Sequence, residues 1–156
     1  MLLHLVALAL WLGGIVFFLV VVRPAINEFD TDDAIRVINQ GRISFEAISW
    51  TAIALLLVTG LASLVLRYRV GAALGAFYWV ALSLKLILFG AMALHHGLQV
   101  FKYGPRIASL TAKVPPDQQL WPEGLRAEWE KWFTLLKINA TLGPIVTLMG
   151  LALMRY

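Results

Sequence analysis

Three ionisable side chains lie within a long apolar stretch of the chain, residues 77–101. Lys85 falls near the middle of the stretch, and His95 and His96 follow further along. An apolar stretch of this length is typical of a membrane-spanning helix, inside which an ionisable group is costly and therefore a candidate functional residue. On a helix, Lys85, Met92 and His96 share one narrow stripe, because offsets of seven and eleven residues return to the same face. The spacing predicts a helix face that offers an amine, a thioether and an imidazole.

A further histidine lies in the first apolar stretch, residues 2–22, where His4 and Trp11 share a helix face. We expect the first and third spans to run in the same direction, with His4 near one membrane surface and His96 near the other. Each histidine lies about eight residues, or roughly 12 Å, from the middle of its span. The two are then on the order of 24 Å apart along the membrane normal. This separation is too large for them to be the two axial ligands of one haem.

These depths define two polar neighbourhoods. In the first, His4 is a candidate iron ligand, and Lys85 is the candidate catalytic residue and a contact for a haem propionate or a porphyrin substrate. Trp11 is a candidate cofactor contact, with packing as its alternative role. The second neighbourhood joins candidate metal ligands to candidate propionate contacts: His95, His96 and Met92 with Lys137 and Arg42. Histidine, alone or with methionine, is an ordinary ligand set for haem b, so the pattern leaves one or two haem b groups open.

Copper is the alternative metal, because the soft thioether of methionine suits Cu(I). The chain has three histidines and four methionines, but only Met92 and His96 share a face. A copper path would also need Met1, Met149 and Met154. The chain contains no cysteine, which excludes a disulfide, a thiolate metal site and covalent haem attachment. Haem b needs no covalent bond, so it is not excluded.

The composition is that of an integral membrane protein. Of 156 residues, 60% are hydrophobic and only 14% are charged, with a mean hydropathy of +0.79, whereas soluble domains are about 45–50% apolar and about 25% charged. The net charge of +4 does not indicate a nucleic-acid partner, since the basic residues lie at the ends of the spans among acids. The opening residues MLLHLVALALWLGG lack the features of a cleaved signal peptide, so we expect a retained first span. We predict a prokaryotic plasma membrane location, with membrane lipid as a partner and homo-oligomerisation left open.

The predicted fold class is an all-α membrane protein, a single domain over 1–156 built as a four-transmembrane-helix up-down-up-down bundle. The apolar stretches predict spans at about 2–22, 43–66, 77–101 and 132–154. Proline should end the first span at Arg23-Pro24. Residues 25–41 are expected to be a polar connection with a short separate helix, and residues 102–120 a loop. Trp129 and Trp132 fit an aromatic belt at the membrane surface.

Three stretches of the chain resemble known membrane proteins. The first, LHLVALALWLGGIVFFLVVVRPA, contains His4 and the WLGG motif; the second, RISFEAISWTAIALLLVTGLASLV, contains Arg42 and the Thr59-Gly60 pair; the third, LKLILFGAMALHHG, contains Lys85. Together they resemble the CopD (copper-resistance D) family. The same features also resemble HemJ, a four-helix haem-binding protoporphyrinogen oxidase family that is distantly related to CopD. The Asn-Glu-Val-Pro segment typical of HemJ is missing from the last helix, which has Ile-Asn-Ala instead.

The CopD resemblance implies copper transport or resistance, and the HemJ resemblance implies haem b and oxidation of protoporphyrinogen IX. Our leading hypothesis is a small integral-membrane haem b protein with a redox role, an oxidoreductase in electron transfer or in oxidation of a small membrane-accessible substrate. Its partner would be a redox protein or a quinone-like or porphyrin small molecule. The alternatives are a copper transport or resistance protein, a protoporphyrinogen IX oxidase of HemJ type, and a structural membrane subunit.

Overall fold

The computed structural model describes residues 2–69, 75–115 and 120–153, and these residues form helices and short connections without a strand. Four helices are long and apolar enough to cross a membrane: α1 Leu2–Glu28, α2 Thr31–Arg69, α3 Ala76–Thr111 and α4 Glu123–Leu153. Large apolar side chains such as Val58, Val80 and Ile87 remain exposed on the outside of the bundle, as contact with lipid requires. The prediction of an all-α membrane protein with four helices is confirmed.

Neighbouring helices run antiparallel. Between α1 and α2, His4 contacts Thr59 near one end of the bundle and Phe18 contacts Phe45 near the other. The other neighbouring helices show the same reversed order. For α3 and α4 the contacting pairs are Lys85–Gly150 and Gln99–Trp132, and for α1 and α4 they are Leu12–Gly143 and Arg23–Glu130. For α2 and α3 they are Trp50–His96 and Arg67–Tyr78. The chain is therefore an up-down-up-down bundle, with its helices arranged in a ring in the order α1, α2, α3, α4.

The first long connection is mostly helical. Only Phe29 and Asp30 separate α1 from α2, and α2 is one continuous helix of 39 residues. The prediction of a separate short helix before the second span was wrong. Ile35 and Ile38, at 3% and 0% exposure, pack into the core, so the start of α2 belongs to the bundle. Burial of this apolar face continues the helix beyond the predicted span.

Two prolines expected outside helices, Pro24 and Pro105, each follow a π-helical stretch. Phe18–Val22 precedes Pro24, and Gln99–Tyr103 precedes Pro105. Proline has no backbone N–H and its ring clashes with the carbonyl four residues earlier, so an α-helix normally stops before it. In the wider π turn, hydrogen bonds reach back five residues and that carbonyl is displaced. The helices continue, which corrects the predicted stop at Pro24 and the part of the predicted loop from 102 to 111; residues 116–119 of that loop lie outside the described residues.

The core is most aromatic at the end of the bundle near the long connections. Phe18, Phe45, Trp132 and Phe133 pack there with adjacent ring centroids 5.2–5.9 Å apart, and Trp129 joins them. Such pairs contribute about 0.5–1.5 kcal/mol each beyond their burial. Trp129 and Trp132 are 3% and 0% exposed, so they belong to the core and not to the predicted surface belt. Contact with rings from α1 and α2 draws them inside.

Gly143 allows α4 to approach α1 closely. A Cβ atom at this position would overlap the side chain of Leu12. We expect Gly143→Val to lower the free energy of unfolding by about 1–3 kcal/mol, because overpacking forces neighbouring side chains out of their rotamers. Detergent-driven unfolding followed by circular dichroism measures the change. Gly90→Val is the control, since a Cβ at Gly90 would meet nothing within 4 Å; equal losses for both variants would contradict the close approach.

Candidate functional site

His4 lies in the first turns of α1 and is held by a two-step hydrogen-bond chain. Its Nδ1 lies 2.7 Å from the Thr59 hydroxyl, which in turn donates to the Leu55 carbonyl at 2.5 Å. The hydroxyl has a single hydrogen and the carbonyl has none, so the hydroxyl hydrogen is used on Leu55. Thr59 therefore accepts from the Nδ1–H of His4, and Nε2 of the neutral ring keeps its lone pair. Metal-binding histidines characteristically adopt this tautomer, fixed by a partner on the other nitrogen.

Lys85 lies at the same end of the bundle as His4. Its Nζ is 3.0 Å from where a Cβ of Gly150 would be, so the absence of a side chain on α4 makes room for the amine. Within the described parts of the chain, no carboxylate lies in ion-pair range of Lys85. This end of the bundle thus holds a half-buried amine on α3 and an imidazole with a free lone pair on α1.

Trp11 lies on the same face of α1 as His4, two turns deeper. It is 2% exposed and packs edge-on against Phe89, with the ring centroids 5.8 Å apart. Its indole N–H has no hydrogen-bond partner among the residues that the structure describes. Trp11 therefore packs in the core against α3, and a contact with a cofactor stays a prediction.

His95 on α3 forms a hydrogen bond with α4. Its Nδ1 lies 3.0 Å from Oδ1 of Asn139, and the amide of Asn139 donates to the Met92 carbonyl at 3.1 Å. His95 was predicted as a candidate metal ligand. His95 instead points to α4, because Asn139 is buried there at 1% exposure and needs partners. Its role in the structure is to join two helices.

His96 lies in the second neighbourhood and is 1% exposed. The rings of Phe45 and Trp50 pack against it with centroids 5.9 and 5.3 Å away. The Gln99 side chain and the Glu46 backbone approach it, but neither ring nitrogen makes a hydrogen bond of good geometry to a described residue. His96 is thus a buried imidazole with unused hydrogen-bonding capacity on both nitrogens.

Arg42 forms a buried ion pair with Glu46. Its Nη1 lies 2.9 Å from both carboxylate oxygens, and Nε and Nη2 lie 3.3 and 3.0 Å from the Asn39 side-chain oxygen. Gly104 covers the pair closely: a Cβ there would lie 2.9 Å from Nη1. Arg42 was predicted as a cofactor contact, but the structure places its charge against Glu46. The four-residue spacing on one helix explains this pairing.

The remaining predicted residues do not converge on one site. Lys137 is exposed on the outer side of α4, away from the histidines. Met92 is 1% exposed in the core, on the same face of α3 as His96. Met149 is half-buried in α4, and Met1 and Met154 lie outside the described residues. Over the described residues, no group of three or more histidine and acidic side chains is placed to hold a metal ion.

The two histidine neighbourhoods lie at different depths. His4 contacts Thr59 on α2, whereas His96 contacts Trp50 and Phe45 on the same helix. This offset along α2 corresponds to roughly 14–21 Å at 1.5 Å per residue. Chemically, the His4 end can ligate a metal and attract an anion, and the His96 end can exchange hydrogen bonds with a small polar group.

In comparisons with known proteins, no family model, no curated protein and no solved structure matches this chain. The site is therefore interpreted from its own geometry.

Sequence reasoning missed three polar residues that complete the His96 neighbourhood. Gln99 is 0% exposed and donates from Nε2 to the Trp132 carbonyl at 3.0 Å, leaving its Oε1 without a partner among described residues. Ser49 is also 0% exposed, and its hydroxyl is likewise unpartnered there. Asn139 is the third. A helical wheel could have found Gln99, because it lies three residues after His96 on the same face.

We expect the stability of the protein to depend on Arg42 and Glu46 being present together. Glu46→Leu leaves a buried guanidinium without its counterion and should lower the free energy of unfolding by about 3 kcal/mol. The double variant Arg42→Met with Glu46→Leu should regain most of that loss, because no uncompensated charge remains. Detergent-driven unfolding followed by circular dichroism measures both variants.

The control for this experiment is an exposed ion pair with the same spacing on the same helix. Arg36 lies 2.8 Å from Asp32 at the surface, so Arg36→Met should change stability by less than about 1 kcal/mol. A double variant as unstable as the sum of its two single variants would show that Arg42 and Glu46 act independently.

Proposed function

We propose that this protein is an integral-membrane haem b protein with a redox role, and that Nε2 of His4 is an axial ligand of the iron. The observation that carries the proposal is the chain from His4 Nδ1 through the Thr59 hydroxyl to the Leu55 carbonyl. It fixes the tautomer and the ring orientation, which is what partners of metal-binding histidines do. His96 lacks such an orienting partner among the described residues and is enclosed by aromatic rings.

Lys85 supports the same assignment from α3. A half-buried amine without a described counterion attracts an anionic group, and carboxylates are its natural partners. Haem b has two propionates, and a porphyrin substrate has the same groups. Lys85 would therefore hold a propionate or orient the carboxylate of a porphyrin at the His4 end of the bundle.

Glycines lie beside both polar residues at this end of the bundle. A Cβ at Gly60 would lie 3.7 Å from the His4 ring, and Gly150 leaves the space beside Lys85. Both glycines remove bulk from the helices that face α1 and α3. When bound, haem b supplies one-electron chemistry at iron, whose potential depends on the axial ligand and its surroundings.

Removal of His4 should abolish haem binding. The full-length protein, purified in mild detergent from haem-replete cells, is expected to show a Soret band and, after dithionite reduction, α and β bands. The pyridine haemochrome assay gives haem per chain, and His4→Ala should reduce it at least tenfold.

The control is His95→Gln, which removes a neighbouring imidazole that the structure commits to Asn139. It should retain the haem content of the unsubstituted protein. A colourless unsubstituted protein, or a His4→Ala variant with full haem content, would refute the proposal.

We expect haem affinity to depend on the hydroxyl group of Thr59 and not only on the size of its side chain. Thr59→Val keeps the shape but leaves Nδ1–H of His4 without its acceptor, so haem affinity should fall about 10–100-fold, as for other partners of metal ligands. Thr59→Ser keeps the hydroxyl and should bind haem nearly as the unsubstituted protein does. Haem titration of the apoprotein measures both affinities. If valine and serine behave alike, the hydrogen bond does not orient a ligand.

A further inference from the structure

A second polar site, distinct from the His4 end, is buried between α2 and α3. Its side chains come from two facing helices: Ser49 lies on α2, between Phe45 and Trp50, which both pack on His96, and His96 and Gln99 lie on α3, at 0%, 1% and 0% exposure for the three residues. The Ser49 hydroxyl, both ring nitrogens of His96 and Oε1 of Gln99 make no hydrogen bond of good geometry to a described residue, although the Gln99 side chain and the Glu46 backbone lie close to the His96 ring. Burying a polar group without a partner costs about 1–3 kcal/mol. A cluster of such groups in an apolar bundle therefore indicates a ligand that supplies the missing hydrogen bonds.

The unpartnered groups include both donors and acceptors. Ser49 can donate a hydrogen bond, and His96 donates from one nitrogen and accepts at the other. Oε1 of Gln99 only accepts. This set matches a ligand that alternates between a carbonyl, which accepts, and a hydroxyl, which donates. Quinone and quinol differ in this way.

The site is close to the membrane-facing surface. Trp50 packs on His96 on one side and contacts Phe101 on the other, with centroids 5.3 and 5.9 Å away. Trp50 is 38% exposed and Phe101 is 73% exposed. One aromatic ring thus separates the buried imidazole from the surroundings of the bundle. A ligand dissolved in the lipid can reach His96 by displacing that ring, without crossing the core.

The backbone and packing around Trp50 leave room for such access. Among the neighbouring helix pairs, α2 and α3 make the sparsest contacts over the described residues. A Cβ at Gly97 would meet nothing within 4 Å, so open space lies on the face of α3 that carries Phe101. Gln99 begins the π-helical stretch Gln99–Tyr103, and π turns inside helices are frequent at functional sites.

We propose that this cluster binds the ring of a membrane quinone, with an oxygen of the ring hydrogen-bonded to His96 and Ser49 and the apolar tail in the lipid beside Phe101. Gln99 accepts a hydrogen bond from the reduced, hydroxyl-bearing form. The inference rests on the proposed function in one respect: it names the redox partner of the haem protein. The binding site itself depends only on the residues between α2 and α3.

The test is a titration of the purified full-length protein in mild detergent with a benzoquinone that carries a decyl tail, followed by quenching of tryptophan fluorescence. Saturable binding is expected, and decylbenzene, which lacks carbonyl groups, should not compete. His96→Leu should weaken binding at least tenfold, and Ser49→Ala by about fivefold for the loss of one hydrogen bond. His95→Gln, the matched histidine control, should bind like the unsubstituted protein.

Ser49→Ala also protects the test against misfolding, because removal of a hydroxyl without a partner costs little stability. Absence of saturable binding, as expected if the cluster holds only water, would overturn the proposal, and so would unchanged binding by both variants. The haemochrome assay on the same samples separates the two proposals. A protein that contains haem but binds no quinone refutes only the quinone site, whereas a colourless protein that binds the quinone refutes only the haem.

Discussion

The constraint on which this structure depends is that a polar side chain inside an apolar bundle must find its partner on another helix. Lipid offers no hydrogen bonds, so each unsatisfied group is costly. His4 on α1 reaches Thr59 on α2, His95 on α3 reaches Asn139 on α4, and these contacts set the register of both helix pairs. Apolar packing alone would permit sliding by a turn, but sliding would break these bonds.

Helix number and class could be predicted from the sequence because hydropathy over some twenty residues reports membrane spanning directly. The extent of the helices could not. Whether residues 31–42 continue α2 depends on whether Ile35 and Ile38 have a surface to pack on, and that surface is formed by other helices. The same holds for 104–111, where Ile107 is fully buried. Contacts with other helices determine that both segments are helical, and the local sequence does not show which contacts a segment will make.

The candidate site residues also divide into features that could be predicted from the sequence and features that could not. The stripe of Met92 and His96 was predictable, since residues on one helix keep their relative angles whatever they pack against. Which of two adjacent histidines is satisfied was not predictable, because it depends on Asn139 in another helix. Arg42 illustrates the opposite problem. Its pairing with Glu46 followed from spacing, and pairing removes it as a free cation for a propionate. The local contact outweighed the functional expectation.

The two ends of the bundle differ in the bulk of the side chains that pack there, and this difference bears on which ligand each end could hold. Near the long connections, aromatic rings from three helices interlock, so a large planar group has no room without unpacking the core. Helices pack with axes about 8–10 Å apart, and a porphyrin can enter only where small residues or helix ends allow separation. His4 lies near such an end, where Gly60 packs against its ring and Gly150 packs against the amine of Lys85. A small ring that arrives from the lipid needs only one side chain, Trp50, to move. This contrast supports the two proposals, haem at His4 and a quinone ring at His96.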